Sequence, residues 1–107
     1  MEIVEPPDFY EDYSEKQFGI DLEKHFKDFG WEYYHTWNSR FSTPGYPDYT
    51  LVRERVIFAE LKREDTKKKK YKLSDTQIKW RDVLLEAKQE WYLWRPRDLE
   101  KIISILA

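Results

Sequence analysis

PDYTLVRERVIFAELK, residues 47–62, is the stretch around which the rest of the chain is arranged. Its middle, YTLVRERVIFA, predicts two short strands joined by a tight turn. Residues two apart on a strand point to the same face, so Glu60 and Lys62 project together while Leu61 enters the core. A hairpin would bring Asp48 back beside Glu60, which would place two carboxylates and one ammonium at one edge of a sheet.

The hairpin must satisfy a register condition if the two carboxylates are to meet. A two-residue turn at residues 54–55 would place Asp48 on the wrong face. A three-residue turn at residues 53–55 would set Asp48 opposite Glu60, and a bulge near Pro47 would have the same effect, because one extra residue flips the register. We therefore expect an odd-numbered loop or a bulge. The alternative is that a strand ending in Glu-x-Lys has an ordinary solvated edge.

Two neighbouring carboxylates favour a bound cation, because like charges held close together repel each other. Hard oxygen ligands of this kind suit Mg²⁺ or Mn²⁺. A neighbouring lysine could activate a water molecule or stabilise charge that develops on a phosphate. The residues alone therefore predict a metal site at Asp48 and Glu60, beside Lys62.

The composition is that of one soluble globular domain. The 107 residues include 37% charged and 40% hydrophobic side chains and no cysteine, which excludes disulfides, thiolate zinc sites and a largely disordered chain. The N-terminus has neither the basic nor the apolar region of a signal peptide. No stretch is long enough to span a membrane, so we expect a cytoplasmic protein with no membrane association.

Charge is distributed unevenly behind the net value of -2. Residues 1–30 carry nine acidic and three basic side chains, whereas residues 31–107 carry twelve acidic and sixteen basic ones. The most basic stretch is KREDTKKKKYK, residues 62–72, with seven basic side chains. Its four consecutive lysines would repel one another and extend the loop, and their local field would attract a polyanion. The alternative is a solubilising surface loop.

The other elements flank the hairpin. Residues 1–13 contain two consecutive prolines and five acidic side chains, which predict an irregular acidic arm. Ser14 and Ser74 each have a glutamine three residues later, Gln17 and Gln77, and these pairs predict two capping boxes. The expected elements are helices at about residues 15–29, 75–88 and 99–106 and strands at residues 31–37 and 91–94.

This order predicts an α/β fold with a mixed four-stranded sheet flanked by helices, that is, an αβββαβ core with an extra C-terminal helix. The strand that carries Glu60 is followed by a helix and another strand, and such a crossover joins parallel strands. The helix that begins after Ser74 has apolar residues on a broad face. Sites in such sheets lie at strand ends.

The turn-rich segment NSRFSTPGY, residues 38–46, comes immediately before the hairpin. Ser39, Arg40 and Ser42 in this segment are plausible hydrogen-bond donors to phosphates. They are also the residue types of an ordinary loop, and the sequence leaves both interpretations open.

The element order, together with Pro47-Asp48 and Glu60-Leu61-Lys62, resembles the PD-(D/E)XK nuclease superfamily. Within it, the chain is similar to the VRR-NUC domain over roughly residues 14–106, which predicts one restriction-endonuclease-like domain at residues 14–107. This family includes small stand-alone phage and bacterial nucleases. The similar segments are Ser14-Glu15, GWEYYHT (30–36), SRFSTPGYPDYTLVR (39–53), FAELK (58–62), LSDTQIKW (73–80) and YLWRPRDLEKI (92–102).

The resemblance implies a divalent-metal-dependent DNA endonuclease that is structure-specific and similar to Holliday-junction resolvases. By this carry-over, Asp48, Glu60 and the backbone carbonyl of Leu61 would bind Mg²⁺ or Mn²⁺. Lys62 would orient the attacking water and stabilise the phosphate in the transition state.

Two further residues are carried over from the predicted helices. Glu15 would match an acidic residue that binds a second metal ion, directly or through water. Gln77 would match the family glutamine that follows the catalytic lysine. The helices alone also explain both residues, because Glu15 lies in a first turn and Gln77 completes a capping box.

The resemblance also implies partners and a location. The substrate would be branched or otherwise structured DNA in a bacterial or phage-infected cell, and a homodimer would suit both the family and the many aromatic side chains. The alternatives are a non-catalytic nucleic-acid-binding module built on residues 63–72 and a structural subunit that uses its acidic arm. The residues predicted to contact DNA are Ser39, Arg40, Ser42, Arg63, Lys67, Lys68, Lys69, Lys70 and Lys72.

Overall fold

A computed structural model describes residues 9–37 and 42–107 and confirms the predicted α/β order. Two short 3-10 helices occupy Phe9–Asp12 and Pro96–Asp98. None of the helices in these residues combines the length and apolar character needed to cross a bilayer. The α-helices are α1 (Glu15–Asp28), α2 (Asp75–Glu86) and α3 (Leu99–Leu106), and the strands are β1 (Glu32–His35), β2 (Tyr49–Val52), β3 (Val56–Leu61) and β4 (Glu90–Trp94).

The sheet is mixed and four-stranded, in the order β1-β2-β3-β4. β1 pairs antiparallel with β2 and β2 pairs antiparallel with β3, whereas β3 and β4 are parallel. Helix α2 forms the crossover between the parallel strands, as the sequence predicts. The end of β3 and the start of β2 lie side by side at one end of the sheet, and β4 starts at the opposite end.

One face of the sheet packs against α1 and α3. Alternate residues of β3, Ile57, Ala59 and Leu61, enter this core, and each is at most 2% exposed. Burial of each larger side chain stabilises the fold by about 1.5–3 kcal/mol. The core cluster comprises Phe18, Leu22, Phe26, Trp31, Tyr49, Leu51, Ile57, Ala59, Leu61, Trp94, Ile102 and Leu106.

Helix α2 covers the opposite face of the sheet only in part. Leu84 is buried and Trp80 is half-buried, but Val83 and Leu85 are 52% and 48% exposed. The broad apolar face predicted for this helix is therefore only partly buried, and Val83 and Leu85 lie outside the buried part. The reason is that α2 meets the sheet along one stripe, mainly at the edge strand β4.

The two predicted capping boxes have different outcomes. Ser14 Oγ accepts a hydrogen bond from the Gln17 N–H, 3.0 Å between heavy atoms, but the Gln17 side chain donates to Asp21 instead of reaching back to Ser14. The first box is thus only half formed. The second is complete, because Ser74 Oγ accepts from the Gln77 N–H and Gln77 Oε1 accepts from the Ser74 N–H, at 3.2 and 2.8 Å.

The described end of the N-terminal arm is ordered against the domain. Residues 9–12 form a 3-10 helix, so the prediction of an irregular arm is wrong there; residues 1–8 lie outside the described residues. Arg63 Nη2 donates to the Glu11 carbonyl at 2.9 Å, and the Arg97 guanidinium lies 4.9 Å from the centre of the Tyr10 ring. These contacts hold the turn in place.

Candidate active site

The hairpin register brings the two predicted carboxylates together. Strands β2 and β3 are joined by a three-residue loop, residues 53–55. Tyr49 pairs with Ala59 in the ladder, and the same register one residue further places Asp48 opposite Glu60. The predicted three-residue turn is therefore confirmed, and with it the placement of both acidic side chains at one end of the hairpin.

Each carboxylate is oriented by a hydrogen-bond donor. Asp48 Oδ2 accepts from the Leu61 N–H at 2.7 Å, and Glu60 Oε1 accepts from the Gln77 side-chain amide at 2.8 Å. The other end of the same amide is fixed by the Ser74 N–H in the capping box. Gln77 thus caps α2 and also orients Glu60 in one conformation, and its role in catalysis stays a prediction.

The carboxylate pair is electrostatically costly in the protein alone. Glu60 is only 3% exposed, and burial, together with the neighbouring Asp48 charge, raises the pKa of Glu60 to about 9. The charge of Lys62 acts in the opposite direction but is outweighed. A divalent cation between the two carboxylates would remove this cost, because it favours the ionised form of both.

Glu15 lies near the pair without joining it in a cluster. Partial desolvation and the Asp48 charge raise the pKa of Glu15, while Lys62 and Arg63 lower it. Within residues 9–37 and 42–107, no three His, Cys, Asp or Glu side chains converge as a metal-binding group. The protein ligands would therefore be the carboxylate pair and a backbone carbonyl, and a metal-binding role for Glu15 stays a prediction.

Two cavities open on either side of Asp48. The carboxylate cavity, of about 280 Å³, is lined by Asp48, Glu60, Gln77 and Trp37 among others. The helix-side cavity, of about 590 Å³, is lined by Asp48 and Glu15 and is walled by α1. A bound phosphate group would therefore have open space next to Asp48 in both cavities and next to Glu60 in the carboxylate cavity.

A set of contacts that the sequence did not predict stabilises the wall of the helix-side cavity. Glu23 of α1 accepts hydrogen bonds from the hydroxyls of Tyr33 and Tyr49, at 2.8 and 2.6 Å. The His35 ring stacks on the Tyr49 ring with 4.5 Å between centroids. These contacts fix α1 to β1 and β2 immediately beside Asp48. The sequence does place Tyr33 and Tyr49 on strand positions that face α1. It does not show that Glu23 is the residue on the helix that they bind.

Gly45 was also missed as a positioning residue. Its φ is +83°, and a Cβ at this position would lie 2.3 Å from the Thr76 carbonyl carbon and 2.7 Å from the Gln77 nitrogen. The Pro44-Gly45 pair indicates a turn with a positive φ at the glycine. The close approach to the first turn of α2 has no signal in the sequence. This contact makes the positions of the turn and of Gln77 depend on each other.

The basic loop, residues 63–72, is closed rather than extended. Arg95 donates to the Arg63 carbonyl at 2.6 Å and to the Tyr71 carbonyl at 2.8 Å, which ties the two ends of the loop together. Between them, the Thr66 N–H donates to the Lys69 carbonyl at 2.8 Å. The predicted extension is wrong, because these bonds hold the backbone against the mutual repulsion of the lysines.

The acidic residues of the loop bond mainly to arginines and backbone N–H groups. Glu64, 8% exposed, accepts from the Arg97 N–H at 2.7 Å. Asp65 accepts from the Tyr71 N–H at 2.7 Å, which is the main cause of its lowered pKa, and it also pairs with Arg95. The side chains left exposed on this loop include Lys67, Lys68, Lys69, Lys70 and Lys72.

The other predicted DNA contacts are placed differently. Ser39 and Arg40 lie outside the described residues. The Ser42 hydroxyl donates to the Trp37 carbonyl. Arg63 is half-buried, donates to the Glu11 carbonyl and lies 5.4 Å from the centre of the Tyr71 ring, so it acts inside the protein as well as at its surface.

No protein-family model matches the chain, and no curated protein or solved structure matches it either. The resemblance to VRR-NUC nucleases therefore stays a prediction from the sequence motifs.

Proposed function

We propose that the protein is a divalent-metal-dependent DNA endonuclease that hydrolyses phosphodiester bonds, of the VRR-NUC type. The observation that supports this most directly is the carboxylate pair: the hairpin register sets Asp48 opposite Glu60, and the Leu61 N–H and the Gln77 amide each orient one of them. An ordinary solvated strand edge needs neither a second carboxylate nor a buried one. Holding two carboxyl groups together makes it costly to ionise both. A metal ion bound between them would offset this cost.

The donor set fits Mg²⁺ or Mn²⁺. Asp48 and Glu60 offer carboxylate oxygens, and the Leu61 carbonyl would complete a set of hard oxygen ligands. Asp48 Oδ2 and Glu60 Oε1 accept the hydrogen bonds described above, so the second oxygen of each carboxylate would be the one to bind the ion. When bound, such an ion would polarise the phosphate and make a bound water more acidic.

The chain's own side chains would supply the remaining chemistry. Lys62 follows the metal-binding strand directly, and its ammonium would stabilise the negative charge that grows on the phosphate oxygens in the transition state. Gln77 would hold Glu60 in its ligating orientation. Glu15, which lines the helix-side cavity together with Asp48, would bind a water or a second metal ion.

The substrate and assembly belong to the same proposal. Branched or otherwise structured DNA would be cut in the cytoplasm of a bacterial or phage-infected cell. A two-fold homodimer would present two sites to the two scissile strands of a four-way junction.

The test is cleavage of labelled DNA by the wild-type protein with Mn²⁺. The substrates are a four-way junction, a flap, a nicked duplex and a single strand. Cleavage of at least one of them that stops when the metal is chelated would support the proposal. Failure to cut all four over a range of protein and Mn²⁺ concentrations would contradict it.

A non-catalytic nucleic-acid-binding module is the second candidate, and the basic loop favours it. The loop lysines at residues 67–70 are exposed, while Glu64 and Asp65 are paired with arginines. Lysine lacks the fork geometry that reads base edges, so these side chains would contact phosphates without sequence preference. In the nuclease proposal, the same loop would hold the DNA near the metal site.

Replacement of Lys67, Lys68, Lys69 and Lys70 by serine is expected to weaken DNA binding equally for all sequences. Loss of about two to four phosphate contacts should flatten the plot of log affinity against log salt by about that many units. Fluorescence anisotropy at several salt concentrations measures this slope. Serine at the exposed Lys24, Lys27 and Lys101 of the helices serves as a control that should leave it unchanged. An unchanged slope in the loop variant would show that DNA does not contact this loop.

A further inference from the structure

Trp37 is an exposed aromatic side chain at the wall of the carboxylate cavity. It is 71% exposed, the highest fraction among the large hydrophobic side chains in the described residues. The cavity that it lines also contains Asp48 and Glu60. Tyr34, the next most exposed at 61%, lies on β1 and is not part of this wall. Trp37 thus offers an open indole face directly beside the carboxylate pair.

The backbone at Trp37 is fastened to the segment that carries Asp48. The Thr36 N–H donates to the Asp48 carbonyl at 2.8 Å, and the Thr36 hydroxyl donates to the Pro47 carbonyl at 2.5 Å. On the other side, the Trp37 carbonyl accepts a hydrogen bond from the Ser42 hydroxyl. These three bonds hold the backbone at Trp37 close to the carboxylates, so the indole is tethered within reach of whatever binds at the pair.

The chemistry of the cavity suits a flat, neutral ring. Its walls combine the indole with the hydroxyl-bearing residues Thr36, Ser42 and Thr43 and with Gln77. Among the described residues, no lysine or arginine lines this cavity. A phosphate group in it could therefore be held only by a metal ion at Asp48 and Glu60. An indole face stacks well on any nucleobase, because every base has a π-face.

We propose that Trp37 stacks on an unpaired nucleobase that adjoins the scissile phosphate, so that the preferred substrate has at least one unpaired nucleotide at the cleavage site. This inference rests on the proposed nuclease function and narrows its substrate class. A base inside a continuous duplex is covered on both faces by its neighbours and must leave the stack before a side chain can cover it. Flaps, frayed junction arms and single strands offer such a base without that step.

The experiment measures binding with Ca²⁺ in place of Mn²⁺, using a fluorescent single-stranded oligonucleotide. A second series of the same strand lacks the base at one nucleotide at a time. Trp37→Ala is expected to lower affinity for the complete strand about tenfold. At one position, removal of the base should weaken binding to the wild-type protein but not to Trp37→Ala, since a stacking partner is then already missing.

Matched variants separate stacking from other effects. Trp37→Phe keeps an aromatic face and should retain most of the affinity. Tyr34→Ala removes an exposed aromatic side chain outside the cavity and should leave the affinity for the single strand unchanged. Because Trp37 and Tyr34 are both largely exposed, all three variants should melt within a few degrees of the wild type. The proposal is overturned if Trp37→Ala binds the complete strand as tightly as the wild type does, or if base removal weakens both proteins equally at every position.

The outcomes also separate this inference from the proposed nuclease function. If the protein shows base-dependent binding through Trp37 but cuts no DNA with Mn²⁺, the stacking site is supported and the nuclease function is contradicted. If Trp37→Ala changes neither the cleavage rate nor the binding affinity, only the stacking site is contradicted.

Discussion

Asp48→Asn, Glu60→Gln and Lys62→Met are each expected to slow DNA cleavage about 10²–10³-fold or more relative to the wild type. In the proposed site, the first two variants would lose a charged metal ligand, and the third would lose the positive charge that stabilises the transition state. Loss of one such interaction raises the barrier by about 3 kcal/mol or more. Single-turnover cleavage of the best substrate with Mn²⁺ measures this rate, and DNA binding should largely persist in all three variants.

The choice of isosteric variants follows from the hydrogen bonds at the site. Asp48→Ala would leave the Leu61 N–H without its acceptor, whereas Asn keeps an oxygen for it. Glu60→Gln likewise keeps an oxygen for the Gln77 amide. Glu86→Gln, at the exposed end of α2, neutralises a carboxylate away from the site and should cut at the wild-type rate. Wild-type cleavage by Asp48→Asn would contradict the site assignment.

Gly45→Ala is expected to destabilise the protein by about 3 kcal/mol, which lowers the Tm of a domain of this size by roughly 10–20 °C. Two effects combine: the positive φ is unfavourable for alanine by about 1–2 kcal/mol, and the new Cβ overpacks against rigid backbone at a cost of about 1–3 kcal/mol. The Thr76 carbonyl carbon lies 2.3 Å from that Cβ, so the turn or the start of α2 must move. Thermal unfolding followed by circular dichroism measures the change.

Gly30→Ala is the matched control for the backbone effect. Gly30 has a φ of +78°, but no atom beyond its two chain neighbours lies within 4 Å of the position that its Cβ would take. Only the cost of about 1–2 kcal/mol for the positive φ should therefore remain. Equal destabilisation by Gly30→Ala and Gly45→Ala would show that the approach of Gly45 to α2 does not constrain the structure.

The hairpin and its carboxylate pair could be predicted because they depend on counting residues along one short segment. Side chains on a strand alternate with a period of two, so the length of the turn decides whether Asp48 faces Glu60 or the opposite side. The helix starts at Ser14 and Ser74 were predictable for a similar reason, since an N-cap acts within one turn of its own helix. Gln77 followed from the same local pattern.

The features that the sequence did not reveal depend on contacts between distant segments. Exposure of Val83 and Leu85 depends on where α2 lies over the sheet, and the closed basic loop depends on Arg95, which follows β4. The approach of Gly45 to Thr76 likewise joins two segments that no local pattern connects. Each of these contacts depends on how the elements pack together, and periodicity within one element does not carry that information.

Calorimetric titration of Mn²⁺ into the wild-type protein and into Glu60→Gln, with Tm measured in parallel, tests the metal site without DNA. The wild type should bind Mn²⁺, and its stability should rise by about 2.7 kcal/mol when free Mn²⁺ is a hundred times the Kd. Glu60→Gln should lose this binding and, without metal, should melt no lower than the wild type, because a neutral amide avoids the cost of burying a carboxyl group beside Asp48, the cost that raises the pKa of Glu60 to about 9. Equal Mn²⁺ affinity in the two proteins, or a wild type that neither binds Mn²⁺ nor gains stability from it, would contradict a metal site at Asp48 and Glu60.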